Sequence, residues 1–317
     1  MYFVYTLCYY KHAKKGDFME TITIKAMAKI NLGLDVLRRR EDGYHEVKMV
    51  MQTVAIHDTL RFTKRADKRI ILRVDGADLP VDQDNLIYKA AQLLYEKASM
   101  EEGVEIVLTK RIPIAAGMAG GSTDAAATLV GMNCLFGLGY SEDELMTMGV
   151  ALGADIPYCI RGGTALSEGI GEQLTPLPAV PEAWLVVAKP PIDVSTAYVY
   201  KNLNLEGLTG HPDIDGMVEA IRRQDLTGIT DRMENVMETV TERDYPVIGR
   251  LKAILKENGA YNALMSGSGP TVFGIFGQEE QARRALKAVK DSGLALQSYQ
   301  TVFCDKAQVA EEEQEAS

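Results

Sequence analysis

A glycine-rich turn that runs straight into an alanine-rich helix constrains this sequence more than any other feature. The turn spans residues 113–124, and a helical run over residues 125–135 follows without a break. Glycines let a backbone approach an anion closely, and the first amides of a helix have no partners within the helix. Because the helix dipole also favours negative charge at that end, the segment predicts a phosphate cradle for a nucleotide triphosphate.

This turn lacks the lysine of a Walker A motif, in which Gly-Lys-Ser/Thr closes the loop. Here Gly121 is followed by Ser122 and Thr123, so a phosphate-binding lysine has to come from elsewhere. A glycine-rich turn with a hydroxyl cap is also ordinary helix punctuation. We favour the phosphate site because proline and glycine constraints flank a run of small residues that ends on a hydroxyl pair.

The composition of the chain limits which binding partners and which cellular compartment we expect. A chain of 317 residues can form two domains, and its formal net charge of -10 argues against nucleic acids and anionic membranes as partners. No apolar run has membrane-spanning length. We therefore expect a cytoplasmic protein, monomeric or dimeric, that binds a small molecule. The cysteines form no Cys-x-x-Cys pair, which indicates reduced thiols and no zinc site; they are Cys8, Cys134, Cys159 and Cys304.

We expect four parts along the chain. In residues 1–18 an aromatic run precedes the lysines, the reverse of a signal peptide, and we interpret this segment as a non-native or disordered extension before Met19. Clustered prolines at positions 176, 178 and 181 predict a boundary between domains of residues 19–175 and 176–305. Residues 306–317 are expected to form a solvated acidic tail.

Every even position from residue 22 to residue 36 is apolar, which is the period of a β-strand. The odd positions share the opposite face, which carries Lys25, Lys29, Asn31 and Asp35. A capping-box pattern that begins at Ser141 predicts a helix start. Further strands are expected at residues 47–56, 60–63, 69–74, 104–108, 184–188, 261–265, 271–276 and 298–303, and helices at 85–97, 194–201, 215–223, 231–241, 247–258 and 278–291. Strands and helices without regular alternation predict an α+β fold.

Three further features could complete a phosphoryl-transfer site. Lys29 and Asn31 supply a cation and a neutral hydrogen-bonding neighbour, although a strand lysine is usually a solvated edge residue. Asp155 is expected at a helix C-terminus, where the dipole disfavours a carboxylate; its alternative is a turn residue before a strand. The turn at residues 266–270 could approach the phosphates or simply join two strands.

The sequence resembles the GHMP kinases, a family that includes galactokinase, homoserine kinase, mevalonate kinase and phosphomevalonate kinase. The family's three motifs match residues 28–32, 113–123 and 265–270 in the family's order, and the resemblance covers residues 19–303. Within the family, the run Asp42-Gly43-Tyr44-His45 and the segments 152–157 and 189–201 are similar to those of a kinase whose acceptor alcohol carries a cytidine diphosphate group.

The resemblance implies a two-domain fold with ATP on the first domain and the acceptor alcohol in the interdomain cleft. It implies that Asp155 is the general base and that Lys29 holds this carboxylate and the alkoxide in place. Loop amides would bind the phosphates, and Ser122 or Thr123 would reach Mg²⁺. The ATP-binding residues that it implies are Pro113, Ile114, Ala115, Ala116, Gly117, Met118, Ala119, Gly120, Gly121, Ser122 and Thr123, with Asn85 as an adenine contact or, equally, a helix N-cap.

At the acceptor end, the resemblance implies that Tyr44 and Tyr200 sandwich the cytosine, that His45 binds its edge, and that Asn31 contributes to substrate binding. The alternative for Tyr44 is an exposed hairpin aromatic, and for His45 a surface imidazole. Two other functions stay open. Another small-molecule kinase of the family, such as homoserine or mevalonate kinase, would lack the signature at residues 42–45. A non-catalytic protein of the same fold would have no use for the base and its cation together.

Overall fold

The computed structural model describes residues 8–9, 20–208 and 210–304. The strands are β1 (Cys8–Tyr9), β2 (Thr21–Arg39), β3 (His45–Arg65), β4 (Ile70–Asp75), β5 (Gly103–Thr109), β6 (Thr164–Glu168), β7 (Gln173–Pro176), β8 (Trp184–Lys189), β9 (Asn262–Met265), β10 (Val272–Phe276) and β11 (Gln297–Val302). The helices are α1 (Leu86–Ala98), α2 (Gly120–Phe136), α3 (Glu142–Val150), α4 (Ile156–Arg161), α5 (Thr196–Asn202), α6 (Ile214–Arg222), α7 (Leu226–Thr230), α8 (Glu238–Asp244), α9 (Val247–Glu257) and α10 (Glu279–Ser292). Apart from β1, which pairs with β2, the predicted extension and acidic tail lie outside the described residues.

The first sheet has seven strands in the order β1-β2-β3-β5-β4, and β6 and β7 branch from β3. All pairs are antiparallel except β4 and β5, which are parallel because α1 carries the chain across between them. The apolar even positions of β2 are buried, as the period of two predicts. The long antiparallel pair of β2 and β3 forms the spine of this sheet and ends at the hairpin that contains Tyr44.

Helix α2 is buried on nearly all sides, since its small residues let neighbouring elements come close. Residues 123–133 of the helix are buried without interruption. A Cβ atom on Gly131 would lie 2.7 Å from the Phe62 ring of β3, so this close approach needs glycine. The packing fixes α2 against the sheet and thereby fixes the glycine-rich turn that precedes it.

The second sheet is antiparallel, with the strand order β11-β8-β10-β9. Helices α9 and α10 pack on it, and its other apolar side chains share a core with the first half of the chain. In that core Leu185 and Phe273 of the second sheet join Ile30 of β2 and Met118 of the glycine-rich turn. This architecture confirms the α+β fold. The position of the domain boundary near residue 176 stays a prediction.

Several expected elements differ from the observed ones. The strands expected at residues 47–56 and 60–63 are one strand, β3, which pairs with β2 from Thr63 to His45. Polar residues 57–59 do not end the strand because Asp58 is buried and accepts hydrogen bonds from the backbone N–H groups of Arg111 and Ile112. Strands β6 and β7 and helices α4 and α7 had no clear periodic signal in the sequence.

The helix expected at residues 231–241 starts only at Glu238. Asn235 forms an isolated bridge with Leu34 of β2 and uses its side chain to bind the turn after β9, so the preceding residues cannot continue a helical ladder. The capping box at Ser141 is confirmed, because both of its hydrogen bonds with Glu144 are present. None of the described helices combines the length and apolarity that crossing a membrane requires.

Register shifts break the period of two along β2. They lie between Met27 and Ala28, between Asn31 and Gly33, and between Val36 and Arg38. Such bulges change which face a following side chain occupies. The face shared by Lys29 and Asn31 therefore continues at Leu34 and not at Asp35, and Asp35 instead pairs with His211 at 3.0 Å. The expectation that Asp35 lies on the face of Lys29 is thus corrected.

Candidate active site

A cleft of about 1230 Å³ collects the residues that the sequence singled out. Its walls come from β2, the hairpin before β3, the glycine-rich turn, the start of α4, helix α5 and the turn after β9. All predicted site residues line this cleft except Met118 and Thr123, which are buried beneath the loop. The structure therefore brings together positions that are more than a hundred residues apart in the chain.

Lys29 lies on the floor of the cleft with its ammonium group already bound. Its Nζ donates to Asn31 Oδ1 at 2.7 Å and to the Gly117 carbonyl oxygen at 3.1 Å. Asn31 in turn donates from Nδ2 to Met49 Sδ. Lys29 is only 4% exposed, so its charge acts in a medium of low dielectric constant, where it polarises nearby groups more strongly than in water.

The glycine-rich turn is held against the second half of the molecule. The Ser266 hydroxyl donates to the Gly117 carbonyl oxygen at 2.9 Å, and a Cβ atom on Gly117 would collide with the Ser266 carbonyl oxygen. Gly117 also has φ near +72°, which glycine adopts at little cost. Within the described part of the chain no side chain caps the start of α2, so the first amides of this helix remain available to an anion in the cleft.

The two hydroxyl residues at the start of α2 have different surroundings. Thr123 is buried and donates from Oγ1 to the Met27 carbonyl oxygen at 2.8 Å, so its hydroxyl holds α2 on β2. Ser122 is half-buried and lines the cleft. Of the two candidates for the metal, Ser122 is the one with access to a ligand.

Asp155 also lines the cleft, but at the opposite end of a helix from the one expected. Helix α3 ends at Val150, and Asp155 occupies the N-cap position of α4, where a helix dipole favours a carboxylate. Its side chain makes no capping hydrogen bond and is left to face the cleft. The expectation of an unfavourable C-terminal dipole was wrong because residues 156–161 form a helix with Pro157 in its first turn, not a strand.

The pKa of the Cys159 thiol depends on the charges of residues near this aspartate. Burial raises the pKa of Cys159 well above its usual range, the negative charge of Asp155 raises it further, and the Lys29 ammonium lowers it. Both charges thus act on one thiol, which lies one turn into α4. Asp155 and Lys29 therefore lie in the same part of the cleft.

Two stacked rings also line the cleft. The centroids of His45 and Tyr200 are 4.6 Å apart with an interplanar angle of 19°. Burial, and then the positive charge of Arg39, lower the pKa of His45, which favours the neutral imidazole. Burial and the nearby Asp155 raise the pKa of Tyr200 to about 12. Tyr44 is 61% exposed at the hairpin tip and lines the same cleft as Tyr200.

Asn85 is the N-cap of α1. Its Oδ1 accepts from the Ile87 amide at 2.9 Å, and its Nδ2 donates to the Pro80 carbonyl oxygen at 2.7 Å. The side chain also borders the cleft. The cap is therefore observed, and a contact with adenine stays a prediction.

The sequence interpretation missed a buried charge cluster under the loop. Lys110 binds Asp58 and also donates to Asp124 Oδ2 at 3.0 Å, while Asp124 Oδ1 is buried and has no hydrogen-bond partner among the described residues. Burial, opposed by Lys110 and reinforced by Asp58, raises the pKa of Asp124 to about 8. Two carboxylates share one lysine, so one of them holds a proton more readily than usual. The position of Lys110 and Asp124 on either side of the turn was the signal that could have revealed them.

Comparison with known proteins gives the family. The model of the family described as GHMP kinases N terminal domain matches residues 85–163, and that of GHMP kinases C terminal matches residues 217–294. A protein named 4-diphosphocytidyl-2-C-methyl-D-erythritol kinase from Lachnospira eligens is 51% identical over 283 residues, which cover 89% of this chain and 98% of that protein. The chain belongs to the GHMP kinase family. It is therefore an ATP-dependent small-molecule kinase.

Other relatives of this GHMP kinase support the same assignment to the family. A protein of the same name from Lachnoclostridium phytofermentans is 48% identical over 291 residues, covering 92% of this chain and all of that protein. The crystal structure of a 4-(cytidine 5'-diphospho)-2C-methyl-D-erythritol kinase is 32% identical with a TM-score of 0.75, and the alignment covers 89% of this GHMP kinase and 98% of that chain. A homoserine kinase from Cytophaga hutchinsonii, 20% identical with a TM-score of 0.75 over 93% and 98% of the two chains, shows the shared fold alone.

Proposed function

We propose that this GHMP kinase transfers the γ-phosphoryl group of ATP to the 2-hydroxyl of 4-diphosphocytidyl-2-C-methyl-D-erythritol, giving the 2-phosphate and ADP in isoprenoid biosynthesis. One observation carries the proposal: a single cleft is lined by Lys29, by Asp155 and by the His45–Tyr200 ring stack. The names of the relatives at about half identity agree with it.

In this proposal Asp155 accepts the proton of the 2-hydroxyl while the hydroxyl oxygen attacks the γ-phosphorus and ADP leaves. A positioned general base contributes roughly 10²- to 10⁴-fold to a rate. Lys29 stabilises the alkoxide that develops, and its hydrogen bonds to Asn31 and Gly117 hold it ready before substrate arrives. Most of the remaining acceleration comes from alignment of the two substrates and from electrostatics.

The phosphates of ATP would lie on the amides of the glycine-rich turn, at the uncapped start of α2. Mg²⁺ would bind the Ser122 hydroxyl. This donor set fits, since Mg²⁺ in kinases takes few protein ligands and completes its shell with phosphates and water, and the described residues contain no cluster of three acidic or His/Cys ligands for a cage. When bound, the ion would offset charge on the transferred phosphoryl group.

The cytosine would stack on Tyr200 with Tyr44 closing over its other face, and neutral His45 would hydrogen-bond its edge. Stacking of a base on an aromatic side chain is worth roughly 1 to 3 kcal/mol in other binders. The partly buried Tyr200 offers a rigid platform, while the exposed Tyr44 can move to admit the base.

The division of the chain into domains is also part of this proposal. Residues 19–175 would form the ATP-binding domain, and residues 176–305 would form the acceptor-binding domain.

Two alternatives are weaker. Homoserine or mevalonate kinase activity has only fold-level support, because the solved structures with those names are 20% identical or less. A non-catalytic protein would not need a buried ammonium group in the cleft that Asp155 lines, because burial removes solvation from the Lys29 charge without a reaction to serve.

A coupled assay of ADP release tests the proposal with 4-diphosphocytidyl-2-C-methyl-D-erythritol, homoserine and mevalonate as parallel acceptors. We expect turnover with the cytidylyl acceptor and none above background with the others. Turnover of homoserine or mevalonate alone would overturn the assignment of substrate. No ADP release with any acceptor, from a folded protein that binds ATP, would favour the non-catalytic alternative.

A further inference from the structure

Three consecutive arginines end β2, and the middle one borders the cleft. Arg38 forms an ion pair with Glu46, and Arg40 pairs with Asp42 at 3.0 Å. Arg39 lines the cleft next to His45, and in the part of the chain that the structure describes it makes no salt bridge. The two flanking charges are thus neutralised by acidic neighbours, while the charge of Arg39 is available to a ligand.

Strand register explains why Arg39 faces this way. Arg39 is paired with His45 across β2 and β3, and Arg38 is paired with Glu46. Residues directly opposite each other on antiparallel strands project from the same face of the sheet. The shift between Val36 and Arg38 sets this register, so the guanidinium group shares a face with the imidazole ring that stacks on Tyr200.

The other cations of the cleft are mostly engaged. Lys29 donates to Asn31 and Gly117, and Lys110 lies between Asp58 and Asp124. Lys201 follows Tyr200 on α5 and lines the same end of the cleft as Arg39. Among the described residues neither Arg39 nor Lys201 forms an ion pair, so a protein with a net charge of -10 keeps two unpaired cations in the cleft that the stacked rings line.

We infer that Arg39 forms an anion subsite beside the His45–Tyr200 stack and binds the diphosphate that joins the cytidine to the sugar alcohol. The inference rests on the proposed function. In such a substrate the first phosphate is one ribose away from the base, so a base on Tyr200 brings the phosphate close to the neighbouring strand. A guanidinium group offers a planar fork of donors that matches phosphate oxygens, and Lys201 adds a second positive charge.

The subsite has a consequence for specificity. The base pocket alone recognises any cytidine, whereas Arg39 favours cytidine that carries phosphate at its 5′ position. Burial, and then the positive charge of Arg39, favour the neutral form of the neighbouring imidazole, in which one His45 nitrogen can accept a hydrogen bond. Base and phosphate recognition are therefore coupled through adjacent strand positions.

Calorimetry with CDP and with cytidine tests the subsite in the wild type, Arg39→Gln and Arg38→Gln. The two variants lose the same charge one residue apart, and Arg38 serves as the control because it pairs with Glu46. We expect Arg39→Gln to weaken CDP binding by about tenfold or more, in line with loss of a charged hydrogen bond, with cytidine affinity within about twofold. Arg38→Gln should change neither affinity, and added salt should weaken CDP binding less steeply in Arg39→Gln than in the wild type.

Equal CDP affinity in the wild type and Arg39→Gln would overturn the subsite. Equal losses for CDP and cytidine would also overturn it, because they would place the guanidinium on the base. Equal losses of CDP affinity in Arg39→Gln and Arg38→Gln would overturn it as well, because they would indicate an effect of net charge and not of a specific contact.

Acceptor kinetics separate this inference from the proposed function. If the wild type phosphorylates the cytidylyl acceptor and Arg39→Gln has the same KM for it, the subsite is wrong and the function stands. If CDP binding depends on Arg39 but no cytidylyl acceptor is turned over, the subsite stands and the proposed function fails.

Discussion

The side-chain amide of Asn235 donates a hydrogen bond to the Gly267 carbonyl oxygen at 2.8 Å. The same nitrogen also donates to the Met265 carbonyl oxygen at 2.9 Å, while Asn235 Oδ1 accepts from the Met237 amide. A Cβ atom on Gly267 would lie 3.5 Å from Lys29 Nζ, so the turn that Asn235 holds borders the proposed catalytic lysine. Asn235 is thereby a positioning residue that connects β2 to the turn after β9.

Replacing Asn235 by Ala should lower both stability and turnover. Two buried carbonyl oxygens would lose their donor, which costs about 1 to 3 kcal/mol for each unsatisfied group. We expect a lower free energy of unfolding in urea and a kcat reduced by at least about tenfold as the turn shifts away from Lys29. Asn258→Ala, which removes a helix-end contact outside the cleft, is the control for stability without effect on kcat. A destabilised Asn235→Ala enzyme with full kcat would show that the turn does not depend on this amide.

Asp155→Asn should remove the proposed base while preserving the shape of the side chain. We expect kcat to fall by about two orders of magnitude or more, with the Kd for ATP nearly unchanged. Asp215→Asn is a matched loss of charge at an exposed position paired with Lys48, and it should retain full kcat. Steady-state kinetics and direct ATP binding measure both effects. Near wild-type kcat in Asp155→Asn would assign proton transfer to another group or to solvent.

The buried Asp124 should make stability depend on pH. Its pKa is about 8 in the folded protein and about 3.9 in an unfolded chain. Between these values the folded state keeps a proton that the unfolded state has released, so the free energy of unfolding falls as pH rises, by at most about 1.4 kcal/mol per pH unit. Asp124→Asn removes this term, and its stability relative to the wild type should improve between pH 5 and pH 8.

Urea unfolding at pH 5, 6.5 and 8 checks this prediction. Asp58→Asn is the contrasting variant, since Asp58 accepts from two backbone amides and from Lys110, and it should be destabilised at all three pH values. The same pH slope in Asp124→Asn and in the wild type would place the retained proton on a different group.

The two tyrosines at the proposed cytidine site should behave differently when truncated. Tyr44→Ala removes an exposed ring and should weaken CDP binding by roughly 1 to 3 kcal/mol without lowering Tm. Tyr200→Ala should weaken CDP binding by a similar amount and also lower Tm, because the ring packs on His45. Tyr200→Phe keeps the stacking surface and should restore both. Calorimetry that finds wild-type CDP affinity in both alanine variants would refute the sandwich.

Gly117→Ala should disturb the cleft more than Gly137→Ala does, although both glycines have a positive φ. Gly137 has φ near +61° with open space around a Cβ atom, whereas a Cβ atom on Gly117 would meet Ser266. Gly137→Ala should therefore cost about 1 kcal/mol of stability and leave turnover intact. Gly117→Ala should cost more and reduce kcat. Equal losses of stability in the two variants, with normal kcat, would mean that the loop can move away from Ser266 at no cost.

Much of this molecule follows from short-range patterns in the sequence. The capping box at Ser141 was predictable because both of its hydrogen bonds form within four residues. The burial of the even positions of β2 followed from their apolar period, and the glycine-rich turn followed from its backbone requirements. The family motifs supplied the roles proposed for Lys29 and Asp155, which no local pattern could assign.

What escaped prediction depends on contacts that are distant in sequence. The bulges of β2 exchange the faces of Leu34 and Asp35, and nothing in the local alternation of residues signals where they fall. Asp58 is tolerated inside a strand only because the backbone before the glycine-rich turn lies against it. The N-cap position of Asp155 depended on recognising α4, whose six residues are too few for a clear helical period.

The Gly117 carbonyl oxygen accepts from both Lys29 and Ser266 and so ties three segments of the chain together at the base of the cleft. If the cleft opened at this base, both hydrogen bonds would break and Lys29 would move away from its observed position. These two hydrogen bonds oppose opening of the cleft at its base, so substrates are expected to enter and leave at the outer rim, where the exposed Tyr44 lies. Lys29 and the glycine-rich turn are thus held in contact before either substrate arrives. The slow steps of a catalytic cycle would be expected in substrate binding and product release at that rim.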